Sequence, residues 1–222
     1  MIQFDIITIF PHFFDSFLNE SIIKRAQKQK LIKIRVFDLR NYAKDKHHTV
    51  DDKPYGGGRG MVLKLEPMHR AISALNKGKK TKAILFSPRG KNFNQKLAYQ
   101  YSKLKRIVMI CGRYEGIDER VAKYLVDEQI SVGDYVMMGG EVAAMAVMES
   151  VSRLIPGVLG HSENLPERIE KGNKGFTEFP QYTRPEVFIP KKGVGWKVPK
   201  VLLKGNHKKI QAWRQKRQKI IH

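Results

Sequence analysis

The spacing of apolar and polar positions divides the chain at about residue 160. Before it, short β-branched runs alternate with stretches of helical period, and after it neither period persists. Residues 2–10 (IQFDIITIF) are β-branched and aromatic and stop at Pro11. Residues 21–29 carry helical spacing, and residues 31–39 (LIKIRVFDL) alternate cleanly, which predicts strand, helix, strand. A polar, glycine-rich stretch over 41–60 precedes a helix over 66–77, with Pro67 in its first turn. Strands are then expected at 81–87, 106–111 (RIVMIC) and 129–135, and helices at 94–103, 119–126 and 141–154 (EVAAMAVMESVSRL). Strands alternating with helices predict an α/β domain with a largely parallel sheet.

The segment 160–177 is charged, holds Pro166, Gly172 and Gly175, and shows no apolar period. It reads as a linker, which predicts a domain over 1–160, a flexible connection over 161–177 and a second unit over 178–222. From Lys191 to His222 there are eleven Lys and Arg and no acid, with Trp196 and Trp213 interleaved. A single basic helix is expected over 208–221, and the two tryptophans with Val201, Leu202, Leu203 and Ile210 are expected to pack.

Charge sharpens this picture. With 42 Lys+Arg against 21 Asp+Glu, the formal charge is +21, and such self-repulsion is offset by a polyanionic partner whose counterions leave on binding. Nucleic acid is the first candidate, because no basic helix has the opposing apolar face of a membrane-surface helix. The lone Cys111 excludes an intrachain disulfide and a thiolate metal cluster, and fits a reducing cytoplasm. The N-terminal residues lack a signal-peptide pattern, and no apolar run reaches membrane-spanning length.

Four glycine-bearing loops fall at predicted strand ends or connections, where open α/β sheets bind ligands. They are Pro54-Tyr55-Gly56-Gly57-Gly58-Arg59-Gly60, Ser87-Pro88-Arg89-Gly90, Cys111-Gly112-Arg113-Tyr114-Glu115-Gly116, and Val132-Gly133-Asp134-Tyr135 through Gly140-Glu141. The first has no phosphate-loop register, no His-Glu-x-x-His is present, and Cys111 reads as a buried small hydrophobe. From the residues alone, the chain is a nucleic-acid-binding α/β protein with a small-molecule pocket.

In this order the blocks VDDKPYGGG (50–58), SPRG (87–90), CGRYEGIDER (111–120), ISVGDY (130–135) and GE (140–141) resemble the bacterial tRNA (guanine-N1)-methyltransferases of TrmD type, in the knotted SPOUT superfamily. RLIPGVLG (153–160), YTRPEV (182–187) and VLLKGNH (201–207) extend the resemblance along essentially the whole chain. It implies a parallel sheet with a deep trefoil knot, a small and mainly helical C-terminal domain, a homodimer with active sites at the subunit interface, and S-adenosylmethionine as methyl donor. Carried over by position, the cofactor pocket is Phe86, Ser87, Pro88, Gly112, Tyr114, Glu115, Gly116, Val132, Gly133, Tyr135, Met137, Gly139 and Gly140, with Glu178 approaching from the second subunit.

The implied reaction is methylation of N1 of the guanosine at position 37 of tRNA. Neutral guanine N1 holds a proton, so the reaction needs a base for that proton and a cation for the charge shifted to O6. Arg153 matches the family's arginine and is the expected O6 partner. The base departs from the pattern: the family has an Asp in this region, and residues 160–182 contain none. Counting back from Tyr182 puts Glu170 at the position, counting forward from Gly160 puts Arg168 there, and Glu167 is the second acidic candidate. Asp52, Tyr55, Gly58 and Arg59 are expected at the target nucleotide, and Arg184, Lys208 and Arg214 on the anticodon arm. The resemblance also brings in a magnesium ion, for which the sequence offers no separate ligand set. The competing expectation is a catalytically inactive knotted-fold RNA-binding protein, favoured by the missing Asp and opposed by the intact glycine loops.

Overall fold

The computed structural model describes residues 1–75, 78–159, 176–191 and 193–221. The chain divides into two compact units, Met1–Ser162 and Glu163–His222. The first is built on five parallel strands: β1 (Ile2–Thr8), β2 (Ile32–Asp38), β5 (Thr81–Asn92), β6 (Arg106–Ile110) and β7 (Glu128–Ser131), in the order β2-β1-β6-β5-β7. Two-residue strands β3 (Asp51–Asp52) and β4 (Val62–Leu63) pair antiparallel on either side of the glycine-bearing loop 53–61.

Period-2 alternation sends successive side chains of the central strands to opposite faces. Phe4, Ile6, Ile84, Phe86, Ile107 and Met109 meet helices α2 (Ser21–Lys28), α4 (Gln95–Tyr101) and α6 (Glu141–Ser152), while Ile7, Ala83, Leu85, Val108 and Ile110 meet α3 (Leu65–Ala74) and α5 (Glu119–Tyr124). The result is helix, sheet, helix, with strands apolar on both faces as parallel sheets require. The buried Asp5 in β1 is held by a two-point hydrogen bond from Arg35 on β2, at 2.8 and 2.9 Å.

Several boundaries differ from the expected ones. A 3-10 turn (Pro11–Phe14) and a short helix α1 (Asp15–Asn19) occupy a segment with no assigned period. The strand expected over 129–135 runs only Glu128–Ser131, because Val132 onward leaves the ladder. Strand β5 instead outruns its expected end at 87. Phe86 and Lys91 both stand opposite Ile130, so residues 87–90 form an excursion from the ladder between them.

In the second unit the basic helix is His207–Arg217, started by the Asn206 side chain accepting from the Lys209 N–H at 3.1 Å. It stops short of the expected 221, since Lys219–Ile221 (β11) pairs antiparallel with Phe176–Glu178 (β8), which also takes in the end of the segment expected to be linker. A hairpin of β9 (Val187–Lys191) and β10 (Val194–Lys197) precedes a helix over Lys200–Leu203, so this unit carries strands as well as helices. Trp196, expected to pack, is 63% exposed.

Candidate functional site

The carboxyl ends of β5, β6 and β7 open onto a cavity of about 450 Å³. Its walls are the excursion after Phe86, the loop after Cys111 and the segment from Val132 to the start of α6. Of the positions carried over for a cofactor, all but Gly133 and Glu178 line it. Gly133 is the neighbour of a lining residue, tied to the Ser131 hydroxyl, and Glu178 belongs to the second unit.

Close approach explains the glycines at two places. A Cβ on Gly90 would stand 2.5 Å from the Ile130 backbone nitrogen, so only glycine lets the excursion rejoin the ladder. A Cβ on Gly140 would stand 2.8 Å from Cys111 Cα and 3.2 Å from Phe86 Cβ, so only glycine lets α6 start against the end of β6. The Gly140 N–H donates to the Gly112 carbonyl at 3.1 Å and joins two of the loops. Tyr114 lines the cavity in the left-handed region, φ +61, a conformation costing a non-glycine residue about 1–3 kcal/mol and concentrated at functional sites.

The lining mixes apolar and polar groups. Phe86, Ile117, Val132 and Met137 give flat or flexible apolar surface, and Ser87, Glu115, Glu119 and Ser131 give polar contacts. Gln129 also lines the cavity, and its side-chain Oε1 is buried with no hydrogen-bond partner among the described residues. An acceptor left this way is costly unless a ligand donates to it. At the rim Arg89 and Glu119 form an exposed 2.6 Å pair.

Beneath the loops lies a buried charge pair that sequence reading missed. Glu141, fully buried, accepts from Arg113 Nε at 2.9 Å and from the Thr8 hydroxyl at 2.7 Å. The Arg113 guanidinium also lies 4.9 Å from the Phe10 ring centre and 5.4 Å from that of Phe13. The signal was present as an arginine between two glycines, but its partner is 28 positions away. Next to the pair, burial pushes the Cys111 thiol well above its ordinary pKa, the Glu141 carboxylate adds to the rise and Arg113 opposes it.

The glycine-rich loop is tied to the same region. The Leu63 N–H donates to the Gly116 carbonyl and the Glu115 N–H to the Met61 carbonyl, both at 3.0 Å. Asp52, Tyr55, Gly58 and Arg59 are exposed on this stretch, Tyr55 completely. Arg153 follows the last turn of α6, half-buried, its N–H donating to the Glu149 carbonyl. Arg184, Lys208 and Arg214 are exposed on the second unit, and Arg214 lies 4.9 Å from the Phe179 ring centre. Glu167 and Glu170 lie outside the described residues. Among the described residues no group of three or more His, Cys, Asp or Glu side chains is placed to hold a metal ion, and no helix is long and apolar enough to cross a membrane.

The family described as tRNA (Guanine-1)-methyltransferase TrmD matches residues 2–221. The curated tRNA (guanine-N(1)-)-methyltransferase of Dehalococcoides mccartyi (strain CBDB1) is 48% identical over 216 residues, spanning 96% of this chain and 84% of that protein. The enzyme of the same name from Staphylococcus carnosus (strain TM300) is 48% identical over 219 residues, 99% of this chain and 86% of its own. Among solved structures, the crystal structure of tRNA (m1G37) methyltransferase from Aquifex aeolicus superposes with a TM-score of 0.76 at 42% identity, covering 96% of this chain and 87% of that one.

Proposed function

Because the chain belongs to the TrmD family of tRNA (guanine-1)-methyltransferases, we propose that it methylates N1 of the guanosine at position 37 of tRNA, with S-adenosylmethionine as donor. The observation that carries the reading is the cavity at the strand ends, closed by the three loops that the family resemblance singles out. Its volume lies in the range of small-molecule sites, and its glycine-built wall and unsatisfied Gln129 acceptor suit a nucleoside with a charged tail. When bound, S-adenosylmethionine supplies an electrophilic methyl group on a sulfonium. The loops' backbone groups hold its adenine and ribose.

The chain's own residues must supply proton removal and charge stabilisation. A carboxylate, Glu170 first and Glu167 second, takes the N1 proton as the ring nitrogen becomes nucleophilic. The Arg153 guanidinium faces the charge moving onto O6. Ala143 is the last residue of α6 to line the cavity, and ten helical rises, about 15 Å along the axis, separate it from Arg153, which favours a role for Arg153 outside the cavity of its own chain. It serves the cavity of a second copy, and Glu178 likewise approaches the partner's donor. The apolar rim fits such a homodimer: Val136 is 83% exposed and Met138 88%. The basic second unit holds the anticodon arm through Arg184, Lys208 and Arg214, and the buried lone thiol suits a cytoplasmic protein.

The test is single-turnover methyl transfer from labelled S-adenosylmethionine to a tRNA transcript with guanine at positions 36 and 37. Glu170→Ala and Arg153→Ala are each expected to slow transfer about 100-fold or more with donor binding retained, and Glu167→Ala to stay near wild type. Mixing Arg153→Ala with a donor-pocket variant is expected to restore one functional site per heterodimer. A wild-type chain that binds tRNA and transfers nothing gives the second reading, an inactive RNA-binding protein, which the missing Asp favours.

A further inference from the structure

The β9–β10 hairpin in the second unit has the form of a binding element. All of its described residues are exposed, and a two-stranded hairpin standing alone in water is marginally stable. Its cross-strand partners Phe188 and Trp196 carry their rings side by side, centroids 5.8 Å apart at 49°, and are 51% and 63% exposed. Exposed aromatic surface of this kind marks an interaction site.

Charge selects the occupant. From Val187 to the end of the chain there are eleven Lys and Arg and no acid, with Glu186 just before the hairpin, so the second unit that carries the two rings attracts a polyanion. Two other rings of this unit carry cations, Phe179 with Arg214 at 4.9 Å and Trp213 with Arg217 at 4.8 Å, and Tyr182 packs edge-on against Trp213. Among the described residues no cation stands over Phe188 or Trp196. An RNA duplex offers such rings little, because its bases are stacked inside and its major groove is deep and narrow. Unpaired bases in a loop present their flat faces to aromatic side chains.

We propose that Phe188 and Trp196 form a stacking platform for unpaired bases of the tRNA, with Lys191 and Lys197 contributing phosphate contacts beside it. The proposal rests on the tRNA reading above and adds to it a selection for single-stranded bases. The platform is distinct from the basic helix His207–Arg217, whose contribution is charge.

The test measures binding of the full-length protein to an anticodon-arm hairpin RNA and to a fully paired duplex of equal length, over a range of salt. Trp196→Leu, which keeps an apolar side chain and removes the π face, is expected to weaken hairpin binding about tenfold and to leave duplex binding unchanged. Trp196→Tyr is expected to restore affinity to within about twofold. The slope of log Kd against log salt is expected to stay the same in both, whereas Lys197→Ala lowers it by about one. Hairpin affinity unchanged in both Trp196→Leu and Phe188→Leu overturns the proposal. Equal losses on hairpin and duplex also overturn it, as does a shift in oligomeric state, which assigns the face to a second copy. A wild-type protein that methylates tRNA while these variants bind normally overturns this inference alone, and one that binds no tRNA overturns the functional reading together with it.

Discussion

Arg113 and Glu141 form a charge pair behind the cavity, 2.9 Å apart, in which the carboxylate is fully buried and the guanidinium side chain only 15% exposed. Removing one member strands the other charge. Arg113→Met is therefore expected to destabilise the protein by about 3–5 kcal/mol. The double variant Arg113→Met/Glu141→Met is expected to lose less than the sum of its single variants. Denaturant unfolding of all four proteins measures the coupling.

At Gly140 the missing side chain is a packing requirement, with Cys111 Cα 2.8 Å from where a Cβ would stand. Gly140→Ala is expected to cost about 1–3 kcal/mol through overpacking, and to weaken S-adenosylmethionine binding at least tenfold as α6 shifts against the loop after Cys111. Gly78→Ala is the control, since a Cβ there meets nothing closer than 4.0 Å. It is expected to change stability by less than about 0.5 kcal/mol. Calorimetric titration and thermal unfolding read the two effects separately.

Burial holds the Cys111 thiol protonated, which gives a pH dependence of definite sign. The folded state keeps its proton, while the unfolded chain ionises above its ordinary value of about 8.5. Stability from this group is thus intact below that pH and falls as pH rises above it. The native protein is expected to be inert to a thiol reagent at pH 8 and to show one reactive thiol per chain in denaturant. Cys111→Ser is expected to flatten the alkaline decline.

The basic helix predicts a salt signature. Lys208→Ala is expected to lower the slope of log Kd for tRNA against log salt by about one, with equal loss across tRNA sequences. Arg214→Ala is expected to lose more than its phosphate contact, because the side chain also covers the Phe179 ring. Filter binding at four or more salt concentrations distinguishes the two.

What sequence could reveal followed how local each signal was. Strand β2 was legible from its alternation, and β1 and β6 from β-branched or apolar runs, each signal written into five to seven neighbouring residues. Val132 and Tyr135 continue the β-branched and aromatic run, but Gly133 and Asp134 between them are turn residues, and the segment leaves the ladder to line the cavity or meet solvent. The β8–β11 pairing joins Glu178 to Lys219, and three-residue strands that far apart have no period to read. The cavity loops were legible as glycine clusters at strand ends. Arg113 was not, since its meaning depends on Glu141, Phe10 and Phe13, all remote in sequence. A trefoil threading is implied by the family resemblance alone, because periodicity carries no record of which segment passes over another.

The strand order also sets a timetable for synthesis. Strand β5 pairs only with β6 and β7, both made after it, and β6 must enter between β1 and β5. While translation proceeds from Asn92 to Ile110, about 1–4 s at ordinary elongation rates, β5 has no sheet partner on either edge. The nascent chain thus holds an apolar strand in readiness until the central one arrives. A chain arrested before β6 has two separate pieces of sheet edge and no pocket, so ligand binding cannot rescue a truncated product, and its exposed strand is a natural handle for chaperone or protease.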